Sequence, residues 1–361
     1  MRSYLDHNAT SPLRPEARAA MLAAMETGGN ASSVHAEGRA ARKLLDEARQ
    51  KVARAVGVIA PMVVFTAGGS EANNMALKGA PVERLIVSAI EHPSVLEAAK
   101  ASGRTVQVLP VSASGEIDLA ALETMLPGPR ALVSVMLANN ETGVVQPVAE
   151  AARLAHAHGG LVHTDAVQAL GKIPVNVGLL GADLMTLSAH KLGGPVGAGA
   201  LVVRDGLAVE PLLHGGGQEL RRRSGTENIV ALSGFGAVAQ LRQPHVKALR
   251  DRLEAALEGA QIFGADAERL PNTTCFALPG LKAETLLMGF DLAGVALSSG
   301  SACSSGKVAK SHVLAAMGVA PEISEAAIRV SLGWDTTEDH IDQFIAAWRG
   351  IIQRRKAREA A

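Results

Sequence analysis

DLMTLSAHKLGGPVGAGALVV, residues 183–203, holds two short apolar runs, Asp183–Leu187 and Ala198–Val203, joined by a glycine-rich connection that carries Lys191. Runs of the same kind recur upstream at Met62–Phe65, Arg84–Ala89, Thr105–Leu109, Ala131–Leu137 and Gly160–Thr164. Between most of them lie amphipathic stretches at Ala36–Val56, Glu71–Lys78, Ser94–Ala101 and Pro147–His158. Strand-length and helix-length patterns that alternate over about 140 residues predict an α/β fold with a mainly parallel sheet flanked by helices. Ligands of such sheets sit beyond the carboxyl ends of the strands. The residues just after each apolar run are therefore the candidates for chemistry. A long helical pattern from Val230 to Leu257 leads into a second half, with strands at Thr273–Leu278 and Ile328–Leu332 and a closing helix from Thr337. This half reads as a smaller α+β domain. The predicted division is a large domain over 13–245 and a small one made of 1–12 and 246–361.

Composition narrows the function. Of 361 residues, 35 are Lys or Arg and 35 are Asp or Glu, so no net field holds nucleic acid or an anionic membrane. Aromatics make up 2%, which leaves few platforms for base stacking. A hydrophobic content of 48% with 37 glycines fits a packed α/β core. The two cysteines, Cys275 and Cys303, are in neither disulfide-scaffold numbers nor zinc spacing. No apolar run approaches the roughly 18 residues of a membrane span, and MRSYLDHNAT lacks a signal-peptide core. A cytoplasmic protein is expected.

Four loops carry the chemistry. Lys191 has no carboxylate near it in sequence, so desolvation lowers its pKa, as a Schiff-base lysine requires. Read alone, this segment favours a lysine snorkelling from a loop. VHTDAVQALGK, residues 162–172, ends an apolar run with Asp165 and places Gln168 three residues on. A carboxylate there can keep a pyridinium nitrogen protonated, or simply cap a turn. His163 shares a strand face with Asp165, which permits a metal reading that we rank low. FTAGGSEANNMALKG, residues 65–79, passes from strand to helix through Gly68, Gly69 and Ser70, a cup for phosphate or a plain helix cap. It is not a Walker A loop, and Gly234 and Gly236 fall inside a helical pattern, where they make no dinucleotide fingerprint. Cys303 sits among small residues with Lys307 and Lys310 close behind, which favours its thiolate, whereas Cys275 on an apolar strand reads as an inert core residue.

Together these loops resemble the class V aminotransferase group of pyridoxal phosphate enzymes, and within it the cysteine desulfurases of the NifS/IscS kind. The likeness runs from YLDHNAT (4–10) through GNASSVHAEGRAAR (29–42), FTAGGSEANN, EHPSVL (91–96), NNETGVVQP (139–147), HTDAVQALGK, SAHKLGGPVGAGAL (188–201), HGGGQELRRRSGTEN (214–228) and SSGSACSS (298–305) to IRVSLG (328–333). The resemblance implies the fold type I architecture of pyridoxal-phosphate-dependent transferases. It also implies that Lys191 binds the cofactor covalently, with Asp165 on the ring nitrogen and Gln168 on the ring hydroxyl. His92 would stack on the ring and assist proton transfer. Gly69, Ser70, Ser188 and His190 would hold the phosphate, joined by Thr226 from the second subunit of a homodimer. Asn140 would lie beside cofactor and substrate, and Arg329 would clamp the substrate carboxylate. The implied activity converts L-cysteine to L-alanine, with sulfur captured as a persulfide on Cys303. The long cysteine segment implies delivery to an acceptor protein such as an iron–sulfur scaffold. A selenocysteine lyase or an aminotransferase of the same fold is the alternative. No metal is implied. Val196 stands where lysine is usual in this family, near the cofactor loop.

Overall fold

The computed structural model describes residues 2–300 and 310–359. Its centre is a seven-stranded sheet in the order Val63–Thr66, Gly199–Val203, Leu184–Ser188, Leu161–Asp165, Ala131–Ser134, Arg84–Ser88, Thr105–Leu109. All pairings are parallel except the two made by Gly199–Val203. The predicted runs thus become strands within a few residues of their expected ends. Most are buried on both faces, which explains why they read as continuous Val, Ile and Leu rather than as an alternation.

Helices Ala36–Ala55, Gly69–Gly79, Pro93–Lys100 and Val148–Ala157 cover the sheet. In the first, Ala41, Leu45, Ala48 and Val52 recur at helical spacing and are buried. Gly236 lies in the helix Ile229–Val238, where a Cβ would come within 2.8 Å of the Ala48 backbone. Its missing side chain serves close helix packing.

The long helix expected over Val230–Leu257 is instead two helices, Ile229–Val238 and Val246–Ala255. Pro244 lies in the break, where it offers no backbone N–H and disfavours helical geometry in the residue before it. Beyond the break, four antiparallel strands run in the order Ser298–Ser299, Ala327–Ser331, Thr273–Ala277, Gln261–Ile262. Their apolar core includes Val246, Phe276, Phe290, Ile328, Phe344 and Trp348. Leu5 belongs to that core as well, and Ser3–Tyr4 pairs in parallel with Val295–Ala296. The start of the chain is therefore woven into its second half.

Two buried acids fasten loops to this frame. Glu219, Leu220 and Arg221 have φ of 47°, 57° and 65°, a left-handed run costing about 1–2 kcal/mol per residue. It persists because Arg49 grips the Glu219 carboxylate at 2.6 and 2.7 Å while the Phe65 N–H donates to it at 2.8 Å. Glu141 accepts from the Ser311 hydroxyl, and burial pushes its carboxyl up to about 7 against the opposing pull of Ser311 and Arg329.

Arg49→Met strands a buried carboxylate and is expected to cost about 3–5 kcal/mol in urea unfolding, much of it recovered by adding Glu219→Leu. For Glu141 the folded chain keeps a proton that the unfolded chain releases from about 4.5 upward, so this group's contribution to stability falls as pH rises from about 4.5 to 7. Glu141→Gln should therefore unfold at higher urea than wild type at pH 8, by about 2–3 kcal/mol, with the difference closing near pH 4.

Candidate active site

The carboxyl ends of five strands of the central sheet open into one cavity of ≈ 310 Å³. Gly69 and Ser70 follow the strand Val63–Thr66, and His92 follows Arg84–Ser88. Asn140 follows Ala131–Ser134, Asp165 ends its own strand, and Ser188, His190 and Lys191 close the connection to Gly199. Gln168 and Arg329 complete the expected set, so all of these predicted residues line one space.

Lys191 lies in a single 3-10 turn, Ala189–Lys191, closed by the Leu192 N–H on the Ala189 carbonyl at 3.1 Å, and the Ala189 N–H donates to the Ala198 carbonyl at 3.0 Å. Its ammonium donates to the backbone carbonyls of Asn8 and Ala9 at 2.8 and 2.6 Å. Gly193 stays close behind, with a φ of +87° and with Arg14 2.5 Å from where a Cβ would stand. Asp165 is buried. One of its oxygens accepts from Asn73 Nδ2 at 2.8 Å and the other from the Val167 N–H at 3.0 Å.

His92 caps the helix Pro93–Lys100, its Nδ1 accepting the Ser94 N–H at 3.1 Å. That bond leaves the proton of the neutral ring on Nε2. Burial drives the His92 pKa down, with Lys191 and His312 adding to the fall and Asp165 opposing it. The ring is therefore neutral at neutral pH. Asn73 Nδ2 also reaches Ser94 Oγ at 2.9 Å, and Ser94 Oγ lies 2.7 Å from His92 Nδ1. A polar chain thus runs from Asp165 through Asn73 and Ser94 to His92. His190 touches Thr10 Oγ1 at 3.2 Å, and burial lowers its pKa to about 4.

Arg329 is 1% exposed. It donates to the Asn140 carbonyl at 2.9 Å and to Asp6 at 2.7 Å, while its Nε has no hydrogen-bond partner among the described residues. That N–H remains able to donate to an anionic group entering the cavity. Gln168 donates to the Asn8 carbonyl at 3.0 Å and accepts from Lys172 at 2.7 Å.

Two expected residues fall elsewhere. Thr226 is exposed within this chain and lines a second cavity with Ala67, Gly197 and Arg223. Cys303 lies outside the described residues. Val196 is 76% exposed and does not line the Lys191 cavity. Cys275 is fully buried, and burial pushes its thiol far up, as an inert core residue requires. His163 uses both ring nitrogens, on Ser134 at 2.8 Å and Thr186 at 3.0 Å. Among the described residues no helix is long and apolar enough to cross a membrane.

Sequence reasoning gave no role to Asn8, Asn73 or Ser94. The signal for Asn73 was available: it lies three and four residues after Ser70 and Gly69, on the same helix face. Asn8 had only its place in YLDHNAT, because its partners are more than a hundred residues away.

The family model for aminotransferase class-V matches residues 3–344. A cysteine desulfurase of Cereibacter sphaeroides is 43% identical over 375 residues, covering 99% of this chain and 97% of that protein. Among solved structures, a NifS-like protein from Rickettsia africae superposes with a TM-score of 0.89 at 35% identity, covering 98% of this chain and 100% of that one. A structure described as SspA in complex with cysteine has a TM-score of 0.84 at 30% identity, covering 93% and 100%. Matches of this extent, on a chain whose predicted site residues converge on one cavity, place the protein in the class V aminotransferase family, within its cysteine desulfurase group.

Proposed function

We propose that this protein converts L-cysteine to L-alanine with pyridoxal 5'-phosphate, captures the sulfur on Cys303 and passes it to an acceptor protein. The observation that carries the reading is the meeting of an amine, a buried carboxylate and a helix start in one cavity: Lys191, Asp165 and Gly69–Ser70. These donors fit the cofactor's aldehyde, ring nitrogen and phosphate. At the phosphate end Gly69 leaves the rim clear, since a Cβ there would sit 3.0 Å from Val167, and the helix Gly69–Gly79 begins with free N–H groups. Ser188 and His190 add polar groups to the same wall. When bound, the cofactor supplies an electron sink that makes the substrate Cα–H acidic and loosens the bond to sulfur.

The remaining work falls to side chains. Asp165, held by Asn73 and Val167, keeps its charge toward the ring nitrogen. Arg329 orients the substrate by its carboxylate, using the Nε left unspent. The Lys191 amine takes the Cα proton, and His92, neutral with its proton on Nε2, shuttles protons on the ring face. The thiolate of Cys303 attacks the substrate sulfur: an S–S bond forms, the Cβ–S bond breaks, and the released carbon skeleton takes up one proton at Cβ and regains one at Cα to become alanine. Thr226, exposed in one chain, would reach the phosphate of a second copy in a homodimer. We place the reaction in the reducing cytoplasm, where a persulfide survives. The cofactor domain would comprise 13–245, and 1–12 with 246–361 would form the domain bearing Cys303.

Cys303→Ala is expected to keep the visible cofactor band and lose sulfide release from cysteine, while wild type incubated with cysteine gains one sulfur on the peptide containing Cys303 by mass spectrometry. Retained desulfuration in the variant would reject Cys303 as nucleophile, and keto-acid-dependent transamination as the main activity would favour an aminotransferase. Arg329→Gln should raise KM for cysteine about 10- to 100-fold, the worth of a charge-assisted hydrogen bond, with a smaller change in kcat.

A further inference from the structure

Lys172 is a buried amine that the reaction just described does not use. It follows Gln168 by four residues in a run of turns closed by Gly171, whose φ is +81°. Its Nζ donates at 2.7 Å to Gln168 Oε1 and at 2.7 Å to Asn8 Oδ1, both neutral acceptors. No carboxylate among the described residues pairs with it; the charges it feels are those of Lys191 and Arg329. Burial, reinforced by those two cations, holds its pKa well below the usual lysine range. An amine in so unfavourable a place is unsuited to an ion-pair role, and its geometry suggests another.

The side-chain amides of Gln168 and Asn8 each have a donor end and an acceptor end, and what sits beside them decides which way each faces. With Lys172 on Oε1, Gln168 must turn its NH2 away, and that group donates to the Asn8 carbonyl at 3.0 Å, leaving its second N–H for the cavity that Gln168 lines. With Lys172 and Asn272 on its Oδ1, Asn8 must donate through Nδ2, to Thr273 Oγ1 at 2.9 Å. The Asn8 carbonyl then receives both Gln168 and Lys191. One amine thus fixes two amides, and the residue bearing one of them also receives the Lys191 ammonium on its carbonyl.

We propose that Lys172 is a positioning residue: it sets the orientation of Gln168 and Asn8, so that Gln168 presents an N–H rather than a carbonyl oxygen to the ring hydroxyl of the cofactor. The inference rests on the reading that pyridoxal phosphate occupies this cavity with Gln168 beside that hydroxyl. An N–H there stabilises the ring oxygen as an anion and so lowers the proton affinity of the oxygen and of the nitrogen that shares its proton. Without Lys172 the amide is free to turn its oxygen inward, and that proton affinity rises.

The test is the pH titration of the visible absorbance of the holoenzyme, with pyridoxal phosphate as the probe and no substrate present. Lys172→Met is expected to move the midpoint upward by about one pH unit, tenfold in proton affinity. Gln168→Ala should move it in the same direction, and the double variant should move it no further than either alone. Lys172→Gln, which keeps an N–H donor on a shorter stem, should show a smaller shift and covers the case in which the methionine variant does not fold. Midpoints equal to wild type in both Lys172 variants, or shifts of Lys172 and Gln168 variants that add, would overturn the inference. A wild-type protein that takes up no pyridoxal phosphate would instead bring down the functional reading itself.

Discussion

The site depends on where the amine of Lys191 finds its acceptors. Among them are the main-chain carbonyls of Asn8 and Ala9, near the start of the chain. For those carbonyls to be there, residues 2–10 must cross from one apolar core to the other. Leu5 packs in the core of the second half, Asp6 bridges to Ser331, and the Tyr4 hydroxyl turns back onto the Thr10 carbonyl at 2.8 Å. The segment is thereby held at both ends while its middle faces Lys191. Asn8 alone touches Asn140, Thr273, Ser331, Gln168, Lys172 and Lys191. A single residue with a backbone and an amide to spend satisfies groups from both halves of the fold, while Arg329 Nε in the same cavity keeps its N–H unpaired among the described residues.

The opposite wall is arranged around Asp165. The central strand Leu161–Asp165 delivers it at its carboxyl end, and the helix Gly69–Gly79 supplies a partner for its carboxylate. Asn73 gives one N–H to the carboxylate and reaches Ser94 with the same amide nitrogen. Ser94 in turn fixes the tautomer of His92. Burial keeps the imidazole neutral against the pull of Asp165, and a neutral ring is the form that can both stack and exchange a proton.

Much of this was legible from the sequence because strands and the loops after them are local signals. The seven apolar runs found their places, and the residues that follow five of them line the cavity. What local pattern could not carry is contact across the chain. Asn8 has its partners fixed by topology, and Lys172 reads as an ordinary lysine until the turn 167–172 folds it inward. The helix expected from Val230 to Leu257 was overextended because apolar spacing continued past Pro244, and backbone chemistry outweighed that spacing. Val196 is exposed and does not line the Lys191 cavity.

The turn 139–143 shows how the sequence converts a motif into a mechanical link. Asn139 Oδ1 accepts the N–H groups of Glu141 and Thr142 at 2.9 Å each, and its Nδ2 donates to the Ile90 carbonyl at 3.1 Å. The side chain thus builds the turn and fastens it to the strand end that leads to His92. Gly143 closes it at a φ of +79°, with Thr273 2.9 Å from where a Cβ would stand, so the turn is held against the second half as well. Asn140 and Glu141, fixed next to each other, then face different tasks. The carbonyl of Asn140 receives Arg329, and the carboxyl of Glu141 receives Ser311, the second described residue after 301–309. Because both contacts hang from one small turn, the arginine that would bind the substrate carboxylate and the chain just beyond the Cys303 segment share a rigid mount. Asparagine at the start and glycine at the end of NNETG are therefore demanded by geometry before any chemistry is asked of the residues between them.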